Sequence, residues 1–204
     1  VMNSLIYEPA ALLLILFCFS IGCRKDIKNN PVSSSAPATQ TAGGLEFILE
    51  TTDMNGNFKS QFAQGENFKL TLIIKNNDAN GVTLCHCFLT MTNSNLFAVY
   101  AAEPISIAKF GNFSTNDSIG KPWDGAGGID IAPITGVGGN SFIKYSLPWF
   151  ISDTTIKYFA PELPHIQAFH VIQNPMLPAG RYYTQFNFTY MGKSIHLRFY
   201  FKVY

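Results

Sequence analysis

Two runs of alternating side chains near the C-terminus constrain this chain more than any other feature. Tyr182, Thr184, Phe186, Phe188 and Tyr190 alternate with Tyr183, Gln185, Asn187 and Thr189. After a turn at Met191-Gly192-Lys193, Ile195, Leu197, Phe199, Phe201 and Val203 alternate with His196, Arg198, Tyr200 and Lys202. A period of two is the signature of a strand with one buried face, because successive side chains leave opposite sides of the backbone. Two such runs joined by a glycine-containing turn predict an antiparallel hairpin.

The same reading extends upstream. Phe68, Leu70, Leu72 and Ile74 alternate with Lys69, Thr71, Ile73 and Lys75. Further strands are expected at 45–52, 81–92, 96–100, 105–110, 140–147, 156–159 and 165–173. No 12-residue stretch carries a helical period, and glycine and proline punctuate the runs, so the chain reads as an all-β antiparallel sandwich. Residues 111–140, rich in Gly, Asn and Asp, are expected as a long insertion loop. The stretch Met176-Leu177-Pro178-Ala179-Gly180-Arg181-Tyr182 resembles the apolar-x-Pro-x-x-x-Tyr opening of a strand in immunoglobulin-like and fibronectin-type domains. The resemblance implies that Tyr182, or Tyr183 shifted by one, closes a corner by bonding its hydroxyl to backbone.

Residues 10–22 (AALLLILFCFSIG) are apolar and run into Cys23-Arg24-Lys25-Asp26. At 1.5 Å per residue, a helix of this length spans about 20 Å, short of a hydrocarbon core of roughly 30 Å. It suits a signal-peptide core. Small residues before a cysteine at the end of such a run resemble a bacterial lipobox, and the ending is similar to Bacteroidota lipoprotein signals. That resemblance implies a signal peptide over 1–22, a lipidated Cys23, and anchoring to the outer membrane of a Gram-negative bacterium, with Lys25-Asp26 pointing toward the cell surface. Asp117-Ser118-Ile119 and Asp153-Thr154-Thr155 resemble the O-glycosylation sequon of the same phylum. Residues 24–44 hold almost no large apolar side chains, so 23–44 is expected as a lipidated cysteine followed by a disordered tether, and 45–204 as the folded domain.

From Leu45 onward the chain has 11 Lys/Arg and 11 Asp/Glu, and no basic stripe. This speaks against nucleic acid as a partner. With Cys18 removed and Cys23 acylated, Cys85 and Cys87 remain, too close to each other to staple the domain. At i and i+2 in a strand their thiols share a face, which suits one soft metal ion, but the flanking Val82-Thr83-Leu84 and Phe88-Leu89 read as a buried strand in which free cysteine packs as a small hydrophobe. His86, His165, His170 and His196 fall at spacings that build no metal set. Asp117, Asp124 and Asp130 offer oxygen ligands in a glycine-rich loop, without the spacing of a known calcium loop. There is no nucleophile elbow, zincin helix motif or phosphate-binding loop, and Asp153 and Glu162 join no evident acid–base pair.

Trp123, in the long loop, and Trp149, Phe150, Tyr158 and Phe159, beside Pro148 and Pro161, are candidates for aromatic platforms that take a sugar ring or a protein partner, Trp123, Trp149 and Tyr158 foremost; core packing is the alternative and the favoured reading for Trp123. The sequence therefore predicts a lipid-anchored extracytoplasmic module that binds a glycan or protein ligand, without catalysis and without a cofactor. The alternatives are a protease-inhibitor-like sandwich presenting the 111–140 loop, and an envelope enzyme or metal protein using Cys85 and Cys87 or the loop carboxylates.

Overall fold

The computed structural model describes residues 33–85, 95–108, 110–124, 134–149, 157–158, 169–171 and 174–204. Among them every regular element is a strand, and no helix occurs. The chain forms β1 (Ala38–Ala42), β2 (Leu45–Thr52), β3 (Gln61–Phe62), β4 (Phe68–Asn76) and β5 (Val82–Cys85), then the short β6 (Val99–Ala101), β7 (Ile105–Ile107) and β8 (Gly111–Phe113). It continues through β9 (Ser118–Gly120), β10 (Trp123–Asp124), β11 (Ile134–Val137), β12 (Ser141–Trp149), β13 (Lys157–Tyr158) and β14 (Phe169–Val171). The C-terminal hairpin is β15 (Gly180–Tyr190) and β16 (Lys193–Val203).

Two sheets carry the architecture. One has the order β1-β2-β4-β12, antiparallel throughout; the other has the order β3-β16-β15-β6-β9, antiparallel except for the short parallel pair β3 and β16. Smaller ladders join β5 to β11, β7 to β8, and β10 to β14 to β13. Phe47, Leu49, Leu70, Leu72, Ile143, Tyr145 and Trp149 from the first sheet share one core with Phe62, Tyr182, Phe186, Leu197, Phe199 and Phe201 from the second. The result is an all-β sandwich. Each such side chain contributes about 1.5–3 kcal/mol by leaving water.

The hairpin forms as its alternation predicts, with eleven paired positions from Gly180 and Val203 to Tyr190 and Lys193. Its turn has two residues, Met191 at φ 48° and Gly192 at φ 74°. Positive φ at both central positions is the geometry that follows the right-handed twist of the flanking strands. At the other end of β15, the Tyr182 hydroxyl donates to the Pro178 carbonyl at 2.7 Å. Tyr182 is the tyrosine that closes the corner; the Tyr183 hydroxyl goes elsewhere. Around it, Phe62, Phe68, Trp149 and Phe201 pack ring on ring, with Phe62 and Phe68 centroids 4.6 Å apart and Tyr182 and Phe201 5.6 Å apart.

One expectation about extent is corrected. The tether was expected to reach residue 44, yet Ala38–Ala42 pair with Leu45–Leu49 as an edge strand, and Ala42 is buried in the core. Small side chains suffice here because β2 supplies the large apolar ones. The β1–β2 turn holds Gly43 and Gly44 at φ 55° and 79°, and a Cβ on Gly44 would sit 2.0 Å from Asp78 Oδ2. Within 111–140, expected as a long insertion loop, the described residues include the short strands β8, β9, β10 and β11, joined by turns.

Candidate interaction face

The outer surface of the β15–β16 hairpin gathers the polar half of the alternation. Because antiparallel partners project to the same side, the register sets Arg181 beside Lys202, Tyr183 beside Tyr200, Gln185 beside Arg198, Asn187 beside His196, and Thr189 beside Ser194. β6 adds Tyr100 next to Tyr183. Tyr100 and Tyr183 stack with centroids 5.0 Å apart at 12°, and Tyr183 and Tyr200 meet at 5.6 Å. These tyrosines, with Ala98, make a second small apolar cluster on the face opposite the main core.

Polar contacts fix this ladder. The Tyr183 hydroxyl donates to Asn116 Oδ1 at 3.0 Å. The Arg198 guanidinium lies 4.4 Å over the Tyr183 ring, a cation–π contact, and Arg198 Nη2 donates to Gln185 Oε1 at 3.1 Å. Burial raises the Tyr183 phenol above its ordinary range, and the positive charge of Arg198 pulls part of the way back. His196 Nδ1 lies 3.0 Å from Asn187 Oδ1, and Asn187, Phe188, Thr189 and His196 border a recess of ≈ 320 Å³. At the other end Glu103 grips Arg181: one oxygen meets the Arg181 amide at 3.0 Å, the other Nη2 at 2.6 Å.

The free edge of β16 is covered by the N-terminal segment. Gln40 accepts from the His196 amide at 2.8 Å and donates to the Ser194 carbonyl at 2.9 Å, so one side-chain amide replaces a strand partner. Ser34 does the same at Tyr200: its amide donates to the Tyr200 carbonyl at 2.9 Å and its hydroxyl accepts from the Tyr200 amide at 3.2 Å. The face is therefore rigid at its margin. Chemically it offers the Arg198 guanidinium, the His196 imidazole, the Gln185 and Asn187 amides and the half-buried Tyr200 phenol, a set suited to hydrogen-bonding a polar, anionic or hydroxyl-rich partner.

The aromatic side chains weighed between platform and core lie elsewhere. Trp123 is 3 % exposed and its indole donates to the Leu96 carbonyl at 2.8 Å. Trp149 is fully buried, donates to the Pro175 carbonyl at 3.1 Å, and lies nearly parallel to Phe68. Both indoles are interior side chains whose N–H groups find backbone; Trp149 stacks on Phe68 and the Trp123 ring lies under the Lys121 ammonium at 4.3 Å, so neither is a surface platform. Tyr158 pairs through its backbone with Phe169 in β13, and Phe150 and Phe159 lie outside the described residues.

Cys85 ends β5 opposite Ile134, and His170 in β14 pairs with Asp124 and Lys157. Cys23, His86, Cys87, Asp130, Asp153, Glu162 and His165 lie outside the described residues. Asp117 is exposed and accepts from the Ser114 amide at 2.6 Å, so its carboxylate closes a turn. Among the described residues, no three of His, Cys, Asp and Glu come together as a metal set.

Tyr100, Tyr183, Tyr200 and Arg198 were not singled out from the sequence as a site. The signal was present in the polar phase of the two alternating runs, but only the hairpin register shows which residues stand side by side. No family model matches the chain, and comparison with curated proteins and with solved structures finds no match.

Proposed function

We propose that the chain is a lipid-anchored, extracytoplasmic binding module with an immunoglobulin-like sandwich, held to the outer membrane through Cys23. Its binding surface is the β15–β16 face, where it takes a glycan or protein ligand without catalysis. The observation that carries this reading is the exposed Arg198 guanidinium, held over the buried Tyr183 ring and bonded to Gln185, beside the half-buried Tyr200 and the Asn187–His196 pair. It is a polar surface whose groups are already held in place by one another. The apolar run ending at Cys23 supports the anchor, and the hydroxyl-to-backbone corner at Tyr182 supports the immunoglobulin-like assignment.

The test has two parts. Mass spectrometry of the membrane-extracted protein is expected to find an N-terminal acylated Cys23; a free, uncleaved N-terminus would sink the anchor. Screening the intact protein and its Arg198→Ala and Tyr200→Ala variants against a glycan panel and secreted proteins is expected to find a ligand whose affinity falls about tenfold or more in both variants. Ligands that bind the variants and the parent equally well would remove this face from the proposal.

A further inference from the structure

We infer that the β15–β16 face is turned toward the membrane that carries the anchor and rests on its anionic headgroups. This rests on the reading above for Cys23 as the lipid-bearing residue, and it makes the headgroups of the anchoring membrane a competitor of the glycan or protein ligand for the same face.

The first observation is where the chain joins the sandwich. Ser34 is bonded through both amide and hydroxyl to the backbone of Tyr200, and Ser33 Oγ lies 3.5 Å from Gln61 Nε2 on the neighbouring β3. Only residues 24–33 separate Cys23 from this docked segment. Fully extended, ten residues reach at most about 35 Å. A tether running to residue 44 would have allowed about twice that reach. Docking at Tyr200 instead makes the β16 margin the part of the domain nearest the anchor along the chain.

The second observation is charge. The outward positions of β15 and β16 carry Arg181, His196, Arg198 and Lys202, and no carboxylate. Glu103 offsets Arg181 at 2.6 Å. Arg198 and Lys202, both exposed, flank Tyr200 on either side, at the residue where Ser34 docks. The outer face of the other sheet is mixed: Glu46 and Glu50 stand among Lys69, Lys75 and Lys144, with Glu46 3.8 Å from Lys75. Two outward cations are a weak attraction for a free protein. A short tether changes this, because it holds them at high effective concentration next to the anionic headgroup layer. The half-buried Tyr200 ring between them suits the interfacial zone, where tyrosine is favoured.

The test reconstitutes the full-length acylated protein into vesicles of phosphatidylethanolamine with about one-third phosphatidylglycerol, and into zwitterionic phosphatidylcholine vesicles. Amine acetylation read by mass spectrometry then compares Lys202 with Lys75 on the opposite sheet. Lys202 is expected to react about threefold more slowly on the anionic vesicles, with Lys75 unchanged, and the protection is expected to vanish in about 0.5 M salt and to weaken in Arg198→Gln. Equal reactivity of Lys202 on the two kinds of vesicle would overturn the inference. So would protection by a soluble acidic polysaccharide with none on anionic vesicles, which would make the partner a free polyanion. The acyl mass is read from the same sample. Its absence would overturn the anchor and this inference together, whereas an acylated protein with an unprotected Lys202 overturns this inference alone.

Discussion

Single residues in this chain matter through what they bond when buried. Tyr182 is fully buried, and its hydroxyl has the Pro178 carbonyl as acceptor. Tyr182→Phe keeps the ring and orphans that carbonyl, so it is expected to cost about 1–2 kcal/mol in urea denaturation; an unchanged midpoint would make the corner dispensable. Glu50 is 8 % exposed, and burial raises its carboxyl above the ordinary value while Lys144 draws it partly back. A raised folded-state pKa means the native state holds its proton longer than the unfolded chain does. Stability from this group is therefore greatest below the unfolded carboxylate value of about 4.3 and declines as pH rises through the folded one. Glu50→Gln is expected to melt at a higher temperature than the parent at pH 7 and at the same temperature at pH 4. An equal gap at both pH values would trace the effect to packing. Tyr182 was legible because Pro178 and Tyr182 sit four residues apart. Glu50 was not, since on sequence alone it is one more outward-facing acid in an alternating strand.

At the scale of elements, β4, β15 and β16 follow from their alternation, and the β15–β16 turn from a glycine placed where φ must be positive. The short strands did not declare themselves. β3, β10 and β13 have two residues each, too few to show any period, and they exist only because a longer partner offers unpaired backbone. β1 is the informative case. Composition marks it as tether, but the edge of β2 on one side and of β16 on the other leaves backbone groups that need partners. Gln40 bridges to β16 with its side chain while its own strand pairs with β2. Gln40→Ala is expected to lower stability by about 1 kcal/mol and to speed hydrogen exchange at the His196 amide at least tenfold. Unchanged exchange there would mean that the Gln40 amide adds nothing to the edge.

At the scale of the molecule, residues 31–204 form one compact unit, and both tryptophans belong to the same core cluster. Tryptophan fluorescence and far-ultraviolet circular dichroism are thus expected to report one coincident unfolding transition, and Phe201→Ala, at the junction of Phe62, Phe68 and Tyr182, is expected to shift it by about 3–5 kcal/mol. Two separated transitions would instead reveal two independent cores. By itself, the sequence determined the class of fold and the long strands with their inward and outward faces, and it narrowed the corner tyrosine to Tyr182 or Tyr183. All of these depend on neighbours within a few residues, through the two-residue period and local turn chemistry. Tertiary structure alone decided that Trp123 and Trp149 are interior, that Ala38–Ala42 is a strand, and that the exposed Arg198 and half-buried Tyr200 stand over the buried Tyr100 and Tyr183 on one face. These depend on which distant strands pair and in what register, and two strands of the same polarity pattern can be paired in many registers until a shared core selects one.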